Sequence, residues 1–176
     1  MSPQVALRPP AEADRAEFIE RLLSSVSLHD PWLEPGDPAP WFDRLLARNR
    51  TQTDRSLLVC DTSSGSIAGV MNLSQISMGP FKNAFLGYYA LEPFAGKGYM
   101  RAAMPLLLRI AFDEVCLHRV QANVQPGNDA SIALVRRAGF RREGFSPRYL
   151  FIRGAWRDHE QWVKLSDDRE AVGGPA

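Results

Sequence analysis

The chain has 176 residues, 45% of them hydrophobic and 10% aromatic, which is enough to bury the core of one domain and too apolar for a disordered or fibrous polymer. Twenty-one basic side chains meet twenty acidic ones for a formal charge of +1, so the overall field of a non-specific nucleic-acid binder is absent. No stretch approaches the ~20 apolar residues of a membrane span, and the opening Met1-Ser2-Pro3-Gln4 lacks the charged and apolar regions of a leader, so a cytoplasmic protein without membrane or direct nucleic-acid partners is expected.

In chain order, Val5 to Arg8 reads as a short strand closed by Pro9-Pro10. A helix is predicted from about Ala11, with Glu12, Asp14 and Glu17 near its positive end and Phe18, Leu22 and Val26 on one face. Leu28 to Pro40, with four prolines, reads as a loop. A second short helix starts at Trp41, Leu45 and Leu46 and ends near Asn49. Ser56 to Cys60 and Ile67 to Ser77 are predicted strands joined by a tight turn, Asp61-Thr62-Ser63-Ser64-Gly65-Ser66. After the turn Met78 to Asn83, Phe85 to Leu91 reads as a strand buried on both faces.

From Met100 the apolar positions Met100, Ala103, Met104, Leu107, Leu108, Ala111, Phe112 and Val115 recur at spacings of 3 and 4, which predicts a long amphipathic helix. Pro105 removes a bond to the carbonyl of Arg101, so a distorted first turn is expected. Arg119 to Val124 is a predicted strand and Pro126-Gly127-Asn128 a turn. Asn128 or Asp129 is placed to cap a helix through Ile132, Leu134 and Val135 that stops at Gly139. Strands from about Arg142 to Ile152 and Ala155 to Leu165 flank Arg153-Gly154, and the polar tail from Ser166 to Ala176 is expected to fray. Cys60 and Cys116 lie in apolar runs, where both are expected as buried small hydrophobes rather than as a disulfide or metal ligands.

Charge is unevenly spread. Residues 1 to 94 carry a net −3, residues 95 to 165 a net +6 and the tail a net −2, and Arg outnumbers Lys eighteen to three. The second half is therefore suited to an anionic ligand, although a solvated basic face gives the same count. At the start of this half, and just before it, lies Glu92-Pro93-Phe94-Ala95-Gly96-Lys97-Gly98-Tyr99-Met100, between a strand and the long helix. Its glycines permit a sharp turn, and the first helical turn offers unpaired N–H groups with a favourable dipole, a geometry that binds phosphate. An ordinary strand-to-helix turn has the same pattern. The segment is not a Walker A motif, because its Gly-Lys lacks the preceding spaced glycine and a following Ser or Thr, and it is not a dinucleotide fingerprint, because the third glycine and a preceding βαβ unit are missing.

Leu86-Gly87-Tyr88-Tyr89 with Gly96-Lys97-Gly98-Tyr99-Met100, then Asn128-Asp129-Ala130-Ser131, then Ala138-Gly139-Phe140, resembles the GNAT superfamily of acyl-CoA-dependent N-acyltransferases. The ending Gly154-Ala155-Trp156-Arg157-Asp158-His159 is similar to the ribosomal-protein-alanine acetyltransferase (RimJ/RimL) branch. The resemblance runs from Val5 to Leu165. It implies a single α/β (α+β) domain over residues 1–165, with a central mixed, mostly antiparallel sheet of about seven strands flanked by about four helices, and it suggests a homodimer. It also implies acetyl-CoA as cosubstrate, without a metal. Its pantetheine arm would pair with the strand at Tyr89, Ala90 and Leu91, and its pyrophosphate would rest on the loop amides of Gly96, Lys97, Gly98, Tyr99, Met100 and Arg101. Asn128 would lie near the pantetheine amide, Ser131 near the sulfur as the proton donor to the leaving thiolate, and Asn123 would be a further polar contact. For Asn128 and Ser131, capping and packing remain alternatives.

The implied reaction, aminolysis of a thioester, needs a neutral amine, an oxyanion donor and a proton for sulfur. The backbone N–H of Ala90 or Leu91 is the expected oxyanion donor. No general base is evident, since the two positions where relatives carry an acid hold Phe85 and Leu150. An α-amino group (pKa about 7.8) is roughly one-third neutral at pH ~7.5, against ~0.1% for a Lys ammonium (about 10.4), so a protein or peptide N-terminus is the favoured acceptor. Asp30, Glu34, Asp37, Asp158 and His159 are candidates to attract or deprotonate it, and Trp32, Trp41, Tyr88, Tyr89, Tyr149 and Trp156 to line its cleft. His29, His118 and His159 also read as surface or structural histidines. A small-molecule amine acetyltransferase acting on an aminoglycoside, polyamine or amino-acid analogue, a non-catalytic acyl-CoA-binding module, and a nucleotide enzyme of other chemistry remain as alternatives.

Overall fold

The computed structural model describes residues 3–34 and 36–168. In chain order it contains β1 (Val5–Arg8), a 3-10 turn, α1 (Arg15–Ser24), α2 (Val26–His29), α3 (Pro38–Arg48), β2 (Arg55–Asp61), β3 (Ile67–Ser77), β4 (Asn83–Ala90), α4 (Tyr99–Arg109), a π-helical turn (Ile110–Glu114), β5 (Arg119–Val124), α5 (Asp129–Arg137), β6 (Arg141–Ile152) and β7 (Ala155–Leu165). The seven strands form one sheet in the order β1-β2-β3-β4-β5-β7-β6. All neighbours are antiparallel except β4 and β5, which gives the mixed sheet expected.

Strand alternation sorts side chains between two cores. Leu57, Met71, Leu73, Leu86, Ala122 and Trp162 point to the face covered by Met104 and Leu107 of α4 and Val135 of α5. Leu58, Val70 and Tyr89 point to the other face, against Phe18 and Leu22 of α1 and Phe42 and Leu45 of α3. On that second face the part of the sheet formed by β5 and β7 carries Arg119, Gln121, Asn123, His159 and Gln161, with Arg119 donating to Gln121 and Gln121 to Asn123.

Local chemistry explains most boundaries. The Asn128 side chain accepts from the Ser131 N–H at 3.1 Å and caps α5. At its other end Gly139, at φ 80°, lets the Gly139 and Phe140 N–H groups reach back to the carbonyls of Arg136 and Val135, closing the helix with a left-handed glycine.

The differences from the sequence reading also have reasons. The expected loop to Pro40 ends early, because Asp37 accepts from the Ala39 N–H and Pro38 fits the first helical position. Val26 leaves the face of Phe18 and Leu22, since the chain turns at Ser25 into α2, and it is exposed. Strand β4 is open at Gly87 rather than buried throughout. The helix continues through Pro105; its irregularity comes later, where Val115 bonds back to Ile110 in a wide π turn. Cys60 is buried but Cys116 is exposed, at φ 59°. Of the expected tail, residues 169–176 lie outside the described residues, whereas the Ser166 N–H donates to the His118 carbonyl. No described helix is long and apolar enough to cross a membrane.

Candidate active site

The parallel pairing of β4 with β5 runs from Asn83↔Arg119 to Leu86↔Ala122 and stops there. Both strands continue, β4 to Ala90 and β5 to Val124, so the sheet opens into a gap. The Leu91 N–H donates to the Ala68 carbonyl, which fixes the ladder parity: amides of odd-numbered residues face β3, and those of Tyr88 and Ala90 face the gap. Leu91 is therefore excluded as an oxyanion donor, because its N–H is used in the sheet and its side chain is fully buried. The Ala90 carbonyl is held from outside the sheet by Nε2 of His29, at 2.8 Å.

A cleft of about 770 Å³ passes through this gap. It is lined from the α4/α5 side by Leu86, Tyr88, Met100 and Ser131, and from the opposite side by His29, Leu33, Tyr89, Asn123 and His159. Its charged lining side chains among the described residues are Lys97, Arg101 and Arg137; no carboxylate is among them.

The glycine loop forms one rim. Gly96 and Gly98 have φ of 71° and 90°, in the region where glycine is favoured. Gly98 stands at the helix N-cap without a side-chain cap. The Ala102 N–H donates to the Gly98 carbonyl to open the helical ladder, so the amides of Tyr99, Met100 and Arg101 precede it, as at any helix start. Together with Lys97 and Arg101 they make a cationic, donor-rich rim. Phe94 and Tyr99 meet edge to face beneath it, with ring centroids 4.9 Å apart. Gly69 on β3 makes room for this arrangement: a Cβ there would lie 2.6 Å from Met100 Sδ and 2.8 Å from the Tyr89 carbonyl.

Across the gap, the Tyr88 hydroxyl lies 2.5 Å from Ser131 Oγ, on the second residue after the start of α5. Burial pushes the Tyr88 phenol up to about 12, opposed by its bond to Ser131, so it is a protonated donor at neutral pH. The structure thus brings together the expected set of Tyr89, Ala90, Gly96, Lys97, Gly98, Tyr99, Met100, Arg101, Asn123, Asn128 and Ser131 around one cleft, and leaves out Leu91.

On the opposite side the sequence reading needs more correction. Asp30 pairs with Arg153 at 3.4 Å, Asp37 caps α3 and Asp158 accepts from the Arg148 N–H, so none of these lines the cleft, and neither does Glu34. Trp32, Tyr88 and Tyr89 line it, whereas Trp41 packs against Tyr89, Tyr149 against His159, and Trp156 is exposed. His29 and His159 are both buried, with burial holding each imidazole below its usual pKa. Arg137, Gln125 and the His29 contact to Ala90 carry no sequence motif; only the fold gathers them here.

Comparison with known proteins places these features in context. A family model described as an acetyltransferase (GNAT) domain matches residues 4–141. "Probable N-acetyltransferase YjcK" of Bacillus subtilis (strain 168) is 37% identical over 108 residues, 61% of this chain and 60% of that protein. The "[Ribosomal protein uS5]-alanine N-acetyltransferase" of Escherichia coli (strain K12) is 35% identical over 125 residues, 69% of this chain and 64% of that protein. The matched stretch thus spans less than two thirds of either relative's own length. The solved structure of Mycobacterium smegmatis RimJ in complex with CoA-disulfide superposes with a TM-score of 0.85 at 27% identity, covering 93% of this chain and 83% of that one.

Proposed function

The chain belongs to the GNAT acetyltransferase family, and from that premise we propose that it transfers an acetyl group from acetyl-CoA directly to a primary amine, favouring the α-amino group of a protein or peptide. The observation that carries this reading is the gap between β4 and β5, which meets a cationic, amide-rich rim on one side and a weakly charged cleft on the other.

The amides of Gly96 to Arg101 would take the pyrophosphate, since helix-start N–H groups and guanidinium charge both favour an anion. The amides of Tyr88 and Ala90 face the opening left by β5, so an extended pantetheine arm would be received there as an added strand. That arrangement would leave the thioester in the gap, with the Ala90 N–H as oxyanion donor and the Ser131 and Tyr88 hydroxyls as the proton source for sulfur. The acceptor nitrogen attacks the carbonyl carbon, the C–S bond breaks, and its electron pair leaves on sulfur.

The absence of carboxylates among the described lining residues supports an acceptor with a single amine. A polyamine would bring further ammonium groups without anionic partners, at the expense of burying unpaired charge. Nearby, Leu33, Leu150 and Ile152 offer apolar surface for the side chain of the N-terminal residue itself, in line with the alanine acceptor named for the Escherichia coli relative.

The test is thiol release from acetyl-CoA against a panel of free and N-terminally blocked peptides, polyamines and aminoglycosides. Release with free peptide N-termini and none with blocked ones supports the reading. Turnover restricted to polyamines or aminoglycosides would reject the acceptor, and preferential binding of ATP or NAD over CoA would reject the donor.

A further inference from the structure

Resting on the acetyl-transfer reading above, we propose that Nε2 of His159 receives the proton shed by the acceptor amine, making His159 the general base of the reaction.

The first support is its placement. In the antiparallel pairing of β7 with β5, Asn123 opposes Gln161 and Val124 opposes Glu160. Alternation then puts His159 on the same face as Asn123 and Gln161, and on the opposite face from Ala122 and Trp162, which lie under the helices α4 and α5. Ser131 and Tyr88 approach the gap from the α4/α5 side. His159 therefore lines the cleft from the side away from the sulfur-protonating hydroxyls, where an attacking amine would lie.

The second support is tautomer. His159 Nδ1 lies 3.0 Å from the Arg157 carbonyl oxygen, which only accepts, so the neutral ring carries its hydrogen on Nδ1 and a lone pair on Nε2. The ring is held edge-on to Tyr149, with centroids 5.7 Å apart, and is only 2% exposed. His29, the other histidine lining the cleft, has its Nε2 engaged with Ala90. No Asp or Glu lines the cleft among the described residues, so the proton has no carboxylate destination there.

The step balances: the nitrogen forms its bond to the thioester carbon, the C–S pair leaves on sulfur and is protonated from the Ser131–Tyr88 side, and the surplus nitrogen proton passes to Nε2 and then to water. The groups round His159 are Tyr149 and Arg148 from β6, the latter bonded through its N–H to Asp158, and Arg157 and Asp158 from its own strand. β5 offers the uncharged Asn123, Gln125 follows just beyond its end, and Asp30 is paired with Arg153. Burial lowers the imidazole pKa, and the bond to the Arg157 carbonyl and the charge of Asp158 oppose that shift without cancelling it, so the ring is a neutral acceptor at pH 7.

The test compares His159→Gln with the intact wild-type protein. Wild type should release thiol with a peptide acceptor, and its kcat/KM should show, below the limb set by the peptide amine itself, a second acidic limb from the enzyme. H159Q should keep the thermal shift given by CoA, lose about 100-fold in kcat, change little in KM for acetyl-CoA and lose that limb. Equal rates and pH profiles in the two proteins would overturn the proposal while leaving the transfer reading intact, whereas no turnover by wild type with any amine would take both. As a check independent of the variant, histidine-labelled wild type should show a protonated Nδ1 and bare Nε2 for His159 at pH 7 by NMR, and the reverse tautomer would overturn the assignment.

Discussion

The Tyr88 hydroxyl and Ser131 Oγ lie 2.5 Å apart, joining the strand that borders the gap to the first turn of α5. The contact links β4 to α5, and it gives the serine an ordered partner: on the proposed reading, a hydroxyl that donates toward sulfur can be resupplied by its neighbour. For this pair to act as one donor, removing either member must affect the same step.

Accordingly, Ser131→Ala and Tyr88→Phe should each lower kcat by about 10- to 100-fold, as expected for loss of a positioned proton donor. CoA affinity should change much less. The double variant should fall short of the product of the single losses, because the pair shares one function. Steady-state kinetics with calorimetric CoA titration measures this, and full multiplicativity would show that the two hydroxyls act separately.

Gly98→Glu should remove the rise in melting temperature caused by CoA, since it places a negative side chain at the rim. It should also destabilise the free protein modestly, because a left-handed conformation costs a non-glycine residue about 1–2 kcal/mol. The space itself is open: the nearest atoms to a Cβ there lie 3.6 Å or more away. Unchanged CoA affinity would reduce the loop to a turn.

Gly69→Ala acts differently. Its Cβ would meet Met100 Sδ at 2.6 Å and the Tyr89 carbonyl at 2.8 Å, and while the methionine has rotamers to escape to, the backbone oxygen does not. Overpacking of this kind costs typically 1–3 kcal/mol. Urea unfolding should record the loss, together with weaker CoA binding as Met100 shifts the start of α4.

Stability should fall as the solution is acidified through the histidine range. His29 and His159 have folded-state pKa values depressed by burial. Between those depressed values and the unfolded value near 6.5, the unfolded chain binds more protons, so unfolding free energy rises with pH there and declines as pH falls. Urea midpoints at pH 5 and pH 7.5 should differ for wild type, and His29→Gln should reduce the difference. A midpoint independent of pH across this range would contradict the burial of both rings.

Much of this was legible in the residues. Periodicity located α4, turn chemistry gave β3, β5 and β7 their bounds, and the loop from Gly96 to Met100 marked the rim because glycine and helix-start chemistry are local. The errors arose where distance in space decides. Nothing in the neighbourhood of Leu91 signals that its amide pairs with Ala68, and nothing near Asp30 signals Arg153. Both depend on contacts far away along the chain. Pro38 and Pro40 read as loop formers because composition outweighed position; at a helix start the missing N–H of proline has no bond to lose. The Tyr88–Ser131 contact spans 43 positions in sequence and leaves no trace in either local pattern.

Because β4 and β5 part company beyond Leu86 and Ala122, the cleft is walled by residues from both faces of the sheet instead of from one. On the acetyl-transfer reading proposed above, a donor held from one face would leave the other face open to the acceptor. Kinetically, that architecture suits a sequential scheme in which both reactants are in residence before the acyl group changes hands.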